Sequence, residues 1–314
     1  LHVRSRRQRQ MCIRDSSTPY IYSATAYAAH SADILRRTAY ILGKTDDEKR
    51  YTELFENIKR AFNDAWVNDD GSVSYYGEVS SQTAHCGESV ALDGSVTRYT
   101  YYAENTPHCP SQTAYALAVD FDLIPTDKLK NTREYFKNSI LRNNCKLTVG
   151  FLGISHLAPA LSKVGLDDVA FKLLEQEDNP SWLYSVKNGA TTIWDRWNSY
   201  IAETGTFGDV SMNSFNHYSY GAIGQWFFTD ILGICPVEFG YKSFMLSPKF
   251  GGGLTYAKGS FTSPYGKISS AWKLHDGKFT YDCTVPTNTT ATLKLPNGDI
   301  HTLVGGSYHF EINV

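Results

Sequence analysis

The stretch SFNHYSYGAIGQWFFTDILGICPVEFGYKSFMLSP, residues 214–248, contains the change of texture that decides the fold. Up to Leu232 it reads as a long helix, Ser214–Leu232, with Tyr218, Ile223, Trp226 and Phe227 along its middle. After Cys235-Pro236 apolar and polar residues alternate, the two-residue period of strands with one buried face. A domain boundary is therefore expected near residues 234–238.

Downstream, the alternation continues through LTYAKGSFTSPYGKISSAWKL, GKFTYDCTVP, TTATLKLP and YHFEINV. His275-Asp276-Gly277, Pro296-Asn297-Gly298 and Gly305-Gly306 break it at turn-forming points. Residues 236–314 are thus expected to form a small antiparallel β-sandwich. Upstream the periodicity is helical. It predicts helices over Tyr20–Leu42, stopped by Gly43, and over Asp46–Ala65, with Tyr51, Leu54, Phe55, Ile58 and Phe62 on one stripe. Further helices are predicted from Pro110, over Thr126–Asn143, Gly150–Lys163 and Asp167–Glu177, while about Ser74–Cys109 reads as an irregular excursion. Helices joined by alternately short and long loops suggest αα-hairpins arranged in a ring.

Composition narrows the function. The chain has 314 residues, 42% hydrophobic and 20% charged, with a formal net charge of -2, which argues against nucleic acid as a partner. No apolar run approaches the ~20 residues of a membrane span. Its 21 Tyr, 16 Phe and 6 Trp suit carbohydrate, whose C–H faces stack on rings, and equally suit core packing. The six cysteines include no CxxC pair and read as buried thiols of a reducing, cytoplasmic compartment. The repeated dipeptides His85-Cys86 and His108-Cys109 leave a metal site or a Cys86–Cys109 disulfide open, although the spacing fits no zinc motif. Residues 1–15, with five Arg and no secretory core, read as a disordered or non-native leader.

Two stretches carry more specific information: PSWLYSVKNGATTIWDRWNSY (180–200) and SFNHYSYGAIGQWFF (214–228). Together they resemble the α-L-rhamnosidases of glycoside hydrolase family 78. TPYIYSATAYAAHSADIL (18–35), SQTAYALAVDFDLIP (111–125), TVGFLGISHL (148–157), the turn at 263–266 and Trp272 agree. The resemblance implies a mainly α chain with a β tail. Residues 16–235 would be part of an (α/α)6 six-hairpin barrel, and residues 236–314 the sandwich. It also implies removal of terminal α-L-rhamnose from a rhamnose-containing glycoside with inversion, and no cofactor or metal. Inversion needs an acid at the leaving oxygen and a base at the water, about 6.5–9.5 Å apart.

By that resemblance Asp195 stands where the family has its general-base glutamate, one methylene shorter. Trp194 and Trp197 wall the sugar subsite or fill the core, and His217 bonds sugar hydroxyls or partners the base. Arg196, Asn198, Asn216 and Gln112 are weaker polar candidates, and Glu203, Glu78, Glu88 and Asp209 read as solvated. The family's acid-bearing segment lies upstream of Thr18-Pro19, where the Arg-rich leader stands here. This chain is therefore expected to be impaired. A carbohydrate-binding remnant and a related (α/α)6 hydrolase of other specificity remain as alternatives.

Overall fold

The computed structural model describes residues 18–74, 85–90, 96–101, 110–207 and 213–314, the two short segments as backbone. The Arg-rich leader, His108, Cys109 and the side chains of His85 and Cys86 lie outside the described residues, and with them the metal-site and disulfide alternatives. The chain divides into two compact units, one over Ser17–Ser139 and one over Ile140–Val314. Helices dominate first and antiparallel sheets follow, the architecture of a six-hairpin glycosidase with its C-terminal β-domain. Among the described residues no helix is long and apolar enough to cross a membrane.

In the first unit, α1 (Tyr20–Ile41) and α2 (Thr45–Trp66) form a hairpin turned at Gly43. Asp46, Asp47 and Glu48 fill the first turn of α2, where carboxylates meet the positive end of the helix dipole. Tyr22 anchors the pair, its ring 4.8 Å from Phe62 and 5.2 Å from Trp66, and its hydroxyl donates to the Ala114 carbonyl. That carbonyl belongs to α3 (Gln112–Asp120), capped by Ser111 and buried along nearly its whole length. Gly71 follows α2 at φ +80°, and a Cβ there would lie 2.8 Å from the Lys128 carbonyl oxygen, so only glycine lets the two backbones approach. Within the predicted irregular excursion, β1 (His85–Val90) pairs antiparallel with β2 (Val96–Tyr101). The second segment, VTRYTY, is β-branched and aromatic at nearly every position, which favours a strand.

The second unit contains the end of α4 (Leu129–Leu141), then α5 (Phe151–Lys163), α6 (Asp167–Leu174) and a short α7 (Trp182–Lys187). A two-residue hairpin, β3 (Tyr200–Ile201) with β4 (Thr206–Phe207), follows. The predicted helix Ser214–Leu232 is corrected here. Helical backbone begins only at Ser219, as a 3-10 turn (Ser219–Ala222), then α8 (Ile223–Trp226), then a π turn (Phe227–Ile231). Ahead of it, Ser214 Oγ accepts the Asn216 N–H and donates to the Asn216 carbonyl. Such local side-chain bonds compete with the helical ladder and keep this run out of the helix.

The sandwich has two four-stranded sheets. In one the order is β7 (Tyr256–Ser263), β8 (Gly266–His275), β9 (Lys278–Val285) and β12 (Gly306–Asn313), all antiparallel. In the other it is β5 (Ile234–Pro236), β6 (Ser243–Leu246), β10 (Thr290–Lys294) and β11 (Ile300–Leu303), with β6 and β10 parallel. The chain lays down β7–β9 of the opposite sheet between β6 and β10, and that crossover permits the parallel pair. Phe279, Tyr281, Cys283 and Val285 alternate inward from β9, and Ile268, Ser270 and Trp272 do so from β8.

Sandwich and helices are joined closely within this unit. Trp272 Nε1 donates to the Ile231 carbonyl at 2.8 Å and Ser270 Oγ to the Leu232 carbonyl at 2.7 Å, satisfying the end of the helical run. Gly233 then turns at φ +71°, where any Cβ would lie 2.1 Å from the Ser247 backbone. Lys249 reaches Asp167 at 2.8 Å and Asp230 at 3.0 Å, bolting the loop after β6 to both helical segments.

Burial pushes the Cys235 thiol up to about 11, helped by Asp230, and the Cys283 thiol up to about 12, helped by Asp282. Since the thiolate is the reactive form, at pH 8 a disulfide reagent is expected to label Cys235 about 10²-fold and Cys283 about 10³-fold more slowly than an ordinary thiol. Peptide mass spectrometry of briefly labelled native protein checks this; prompt labelling of either residue would contradict the burial described.

Candidate active site

The site is built on two paired arms. Residues 192–195 and 214–217 run beside each other: the Asp195 N–H donates to the Ser214 carbonyl at 2.8 Å, and the His217 N–H to the Ile193 carbonyl at 2.8 Å. Thr192 Oγ1 bonds the Phe215 carbonyl, and the Ser214 N–H reaches back to Asp195 Oδ2 at 3.4 Å. Neither arm forms a strand, yet Thr192, Ile193 and Asp195 on one are bonded to Phe215, His217 and Ser214 on the other. Trp194 is buried, whereas Ile193 is exposed and Asp195 half-buried.

Burial separates the predicted site residues. Asp195 lies with its Oδ1 3.9 Å from His217 Nε2; the two side chains are 17% and 26% exposed, sheltered yet reachable. The Ser219 N–H, presented by the 3-10 turn, donates to His217 Nδ1 at 3.3 Å. A neutral His217 then carries its proton on Nε2, toward Asp195. Trp194 goes into the core instead, 6% exposed and edge-on to Phe215 with centroids 5.3 Å apart. Trp197 is brought round by the turn at Arg196–Ser199 and stacks flat on Tyr220 at 3.7 Å and 12°. Its Nε1 donates to the Val149 carbonyl, and Trp182 meets it edge-on at 5.6 Å. Arg196 has its N–H on Ser199 Oγ, and Asn216 is exposed.

Of the weaker candidates, Asn198 and Glu203 are exposed, and Gln112 is buried in the first unit. Glu78, Asp209 and the Glu88 side chain lie outside the described residues. Three aromatic residues not singled out as candidates complete the surroundings. Phe151, at the start of α5, stacks on His217 at 4.5 Å and 10°. Trp182 is fixed by its Nε1 donating to the Tyr220 carbonyl. Tyr220 stacks on Trp197 and meets Phe151 at a 58° tilt. All three stand inside matched motifs, which is the one sequence signal that marks them.

The result is a carboxylate beside an imidazole, the imidazole stacked on one of a set of interlocked rings. Such a pairing can accept or hold a proton and bind hydroxyls, with rings to meet C–H faces. No group of three or more His, Cys, Asp or Glu among the described residues could hold a metal ion.

Comparison with known proteins gives the family. Residues 9–231 match the family model for the bacterial alpha-L-rhamnosidase 6 hairpin glycosidase domain, and residues 233–310 that for the bacterial alpha-L-rhamnosidase C-terminal domain. A curated alpha-L-rhamnosidase of Streptomyces avermitilis is 37% identical over 279 residues, 89% of this chain and 24% of that protein. The crystal structure of the Streptomyces avermitilis enzyme complexed with L-rhamnose matches at TM-score 0.79 and 34% identity, covering 94% of this chain and 27% of that one. An alpha-L-rhamnosidase structure from Aspergillus terreus matches at TM-score 0.81 and 30% identity, covering 95% and 31%. The chain thus spans about a quarter of the length of the curated relatives it matches.

Proposed function

The chain belongs to the bacterial alpha-L-rhamnosidase family, and from that premise we propose that it supplies one side of the sugar site of a protein that hydrolyses terminal α-L-rhamnose from rhamnosides with inversion. In this proposal residues 16–235 are part of the catalytic domain and residues 236–314 the C-terminal sandwich. Asp195 takes the proton from the attacking water. His217, with its proton on Nε2, orients that carboxylate or a sugar hydroxyl. Trp197, held by Tyr220 and Trp182, backs the subsite, and Trp194 stiffens it from behind. Arg196 and Asn216 supply polar contacts at its margin. The acid that protonates the leaving oxygen comes from elsewhere in the whole protein.

The observation that carries this reading is the approach of Asp195 to His217 across the two paired arms. An inverting displacement on an α-L-rhamnoside must release β-L-rhamnose first. Proton NMR of p-nitrophenyl α-L-rhamnoside hydrolysis by the full-length protein is expected to show the β anomer ahead of mutarotation. The α anomer first, or turnover of a β-glucuronide or α-glucoside instead, would overturn the proposal. Binding of L-rhamnose without turnover of any rhamnoside would mark the chain as a binding remnant.

A further inference from the structure

The two peptide groups that flank Asp195 are both held from the second arm, one directly and the other through a relay. Ahead of Asp195, its own N–H donates to the Ser214 carbonyl at 2.8 Å. After it, the Arg196 N–H donates to Ser199 Oγ at 3.1 Å, and the Ser199 N–H returns to the Arg196 carbonyl at 3.2 Å. Ser199 is in turn gripped by Asn213, whose Nδ2 donates to the Ser199 carbonyl at 2.8 Å. Asn213 and Ser214 are consecutive, so one dipeptide fixes both ends of the turn Asp195–Ser199.

Neither member of the relay sits as an ordinary surface polar residue would. Ser199 is fully buried. Only the NH2 end of an amide can face a carbonyl, so the bond to Ser199 dictates which way the Asn213 amide points. That orientation leaves Asn213 Oδ1 buried with no hydrogen-bond partner among the described residues, an arrangement that costs stability. An apolar residue of the same size would avoid that cost but could not hold Ser199. Further chain packed on this face can only bury these groups more deeply. His217 is secured by other contacts: its N–H on the Ile193 carbonyl, its ring on Phe151, and its Nδ1 taking the Ser219 N–H. The relay thus bears on one partner of the pair, the carboxylate that lies 3.9 Å from His217 Nε2.

We propose that Asn213 and Ser199 are positioning residues for the reaction, a relay that sets the backbone torsion after Asp195 and so the direction of its carboxylate. This rests on reading Asp195 as the base. Neither residue touches the sugar; each acts through Asp195. A carboxylate displaced by about an ångström loses up to about 10²-fold in rate.

The test uses the full-length protein with Asn213→Ala, Ser199→Ala, the two together, and each combined with Asp195→Asn. Turnover is measured on p-nitrophenyl α-L-rhamnoside, and folding is followed by circular dichroism. Each single variant is expected to lower kcat about ten- to fiftyfold with KM within about threefold. The two together should lose no more than about twofold beyond either alone, since both break the same relay. In the Asp195→Asn background no base remains to be aimed, and either substitution should cost less than about twofold further. Losses that multiply in that background would show a general weakening of the site and overturn the proposal. Unchanged kcat in both single variants, or loss of the folded state in both, would also overturn it. Each of these outcomes leaves the hydrolase reading intact so long as Asp195→Asn alone is impaired. Full activity of Asp195→Asn would overturn the reading of Asp195 as the base, and this proposal with it.

Discussion

Asp195→Asn in the full-length protein is expected to lower kcat on p-nitrophenyl α-L-rhamnoside by about 10³-fold while moving KM by less than about threefold. The amide keeps the size of the side chain and can still accept the long bond from the Ser214 N–H. It cannot take a proton, so only the base function is lost. Azide, a nucleophile that needs no deprotonation, should restore turnover of the variant and yield the β-rhamnosyl azide. A purely structural Asp195 would show no such rescue. The carboxylate is also drawn back toward its own paired arm, where Ser214 holds Oδ2. Asp195→Glu moves the charge outward by one methylene and is expected to raise kcat. A tenfold or smaller loss in Asp195→Asn, without azide rescue, would remove Asp195 from the chemistry.

The second large effect concerns stability. Trp272→Ala is expected to destabilise the sandwich by about 3–5 kcal/mol, the usual range for truncating a large buried ring. Trp272 is among the largest fully buried side chains and packs against Phe279 at 5.9 Å. It also satisfies the Ile231 carbonyl, one of the orphan acceptors at the end of the helical run. Trp272→Phe should therefore cost about 1–3 kcal/mol, because the ring remains while a buried carbonyl loses its donor. Urea unfolding followed by far-ultraviolet circular dichroism checks the ordering. A loss below about 1 kcal/mol for the alanine variant would show that the cavity closes over and that the joint with the helices is not held here.

Much of this fold is legible in the sequence because local signals agree with the tertiary result. Tyr20–Ile41 ends where Gly43 adopts positive φ, and β9 alternates strictly because one face is buried. The Ser214–Leu232 run misleads for a physical reason. Its apolar spacing is helical, but the Ser214 hydroxyl bonds the Asn216 backbone, and the arm is needed to pair with residues 192–195. Trp194 is buried while Asp195 stays half-buried beside His217, a difference that residue type alone cannot convey. Phe151, Trp182 and Tyr220 come together only through the fold, from segments with no periodic relation to one another. The identity of Asp195 and His217 as a pair was readable only through family resemblance; their approach depends on hydrogen bonds between arms about twenty residues apart.

The parallel pairing of β6 with β10 also governs the order in which the molecule can be made. Ser243–Leu246 leaves the ribosome before its neighbour Thr290–Lys294 exists, and the opposite sheet must be threaded between them. Trp272 and Ser270, which close the helical run, belong to that threaded sheet. The helical run that follows His217 is thus translated before the strands that secure its end. Its closure waits on pairings distant along the chain, and non-local pairings of this kind are the slow steps of folding.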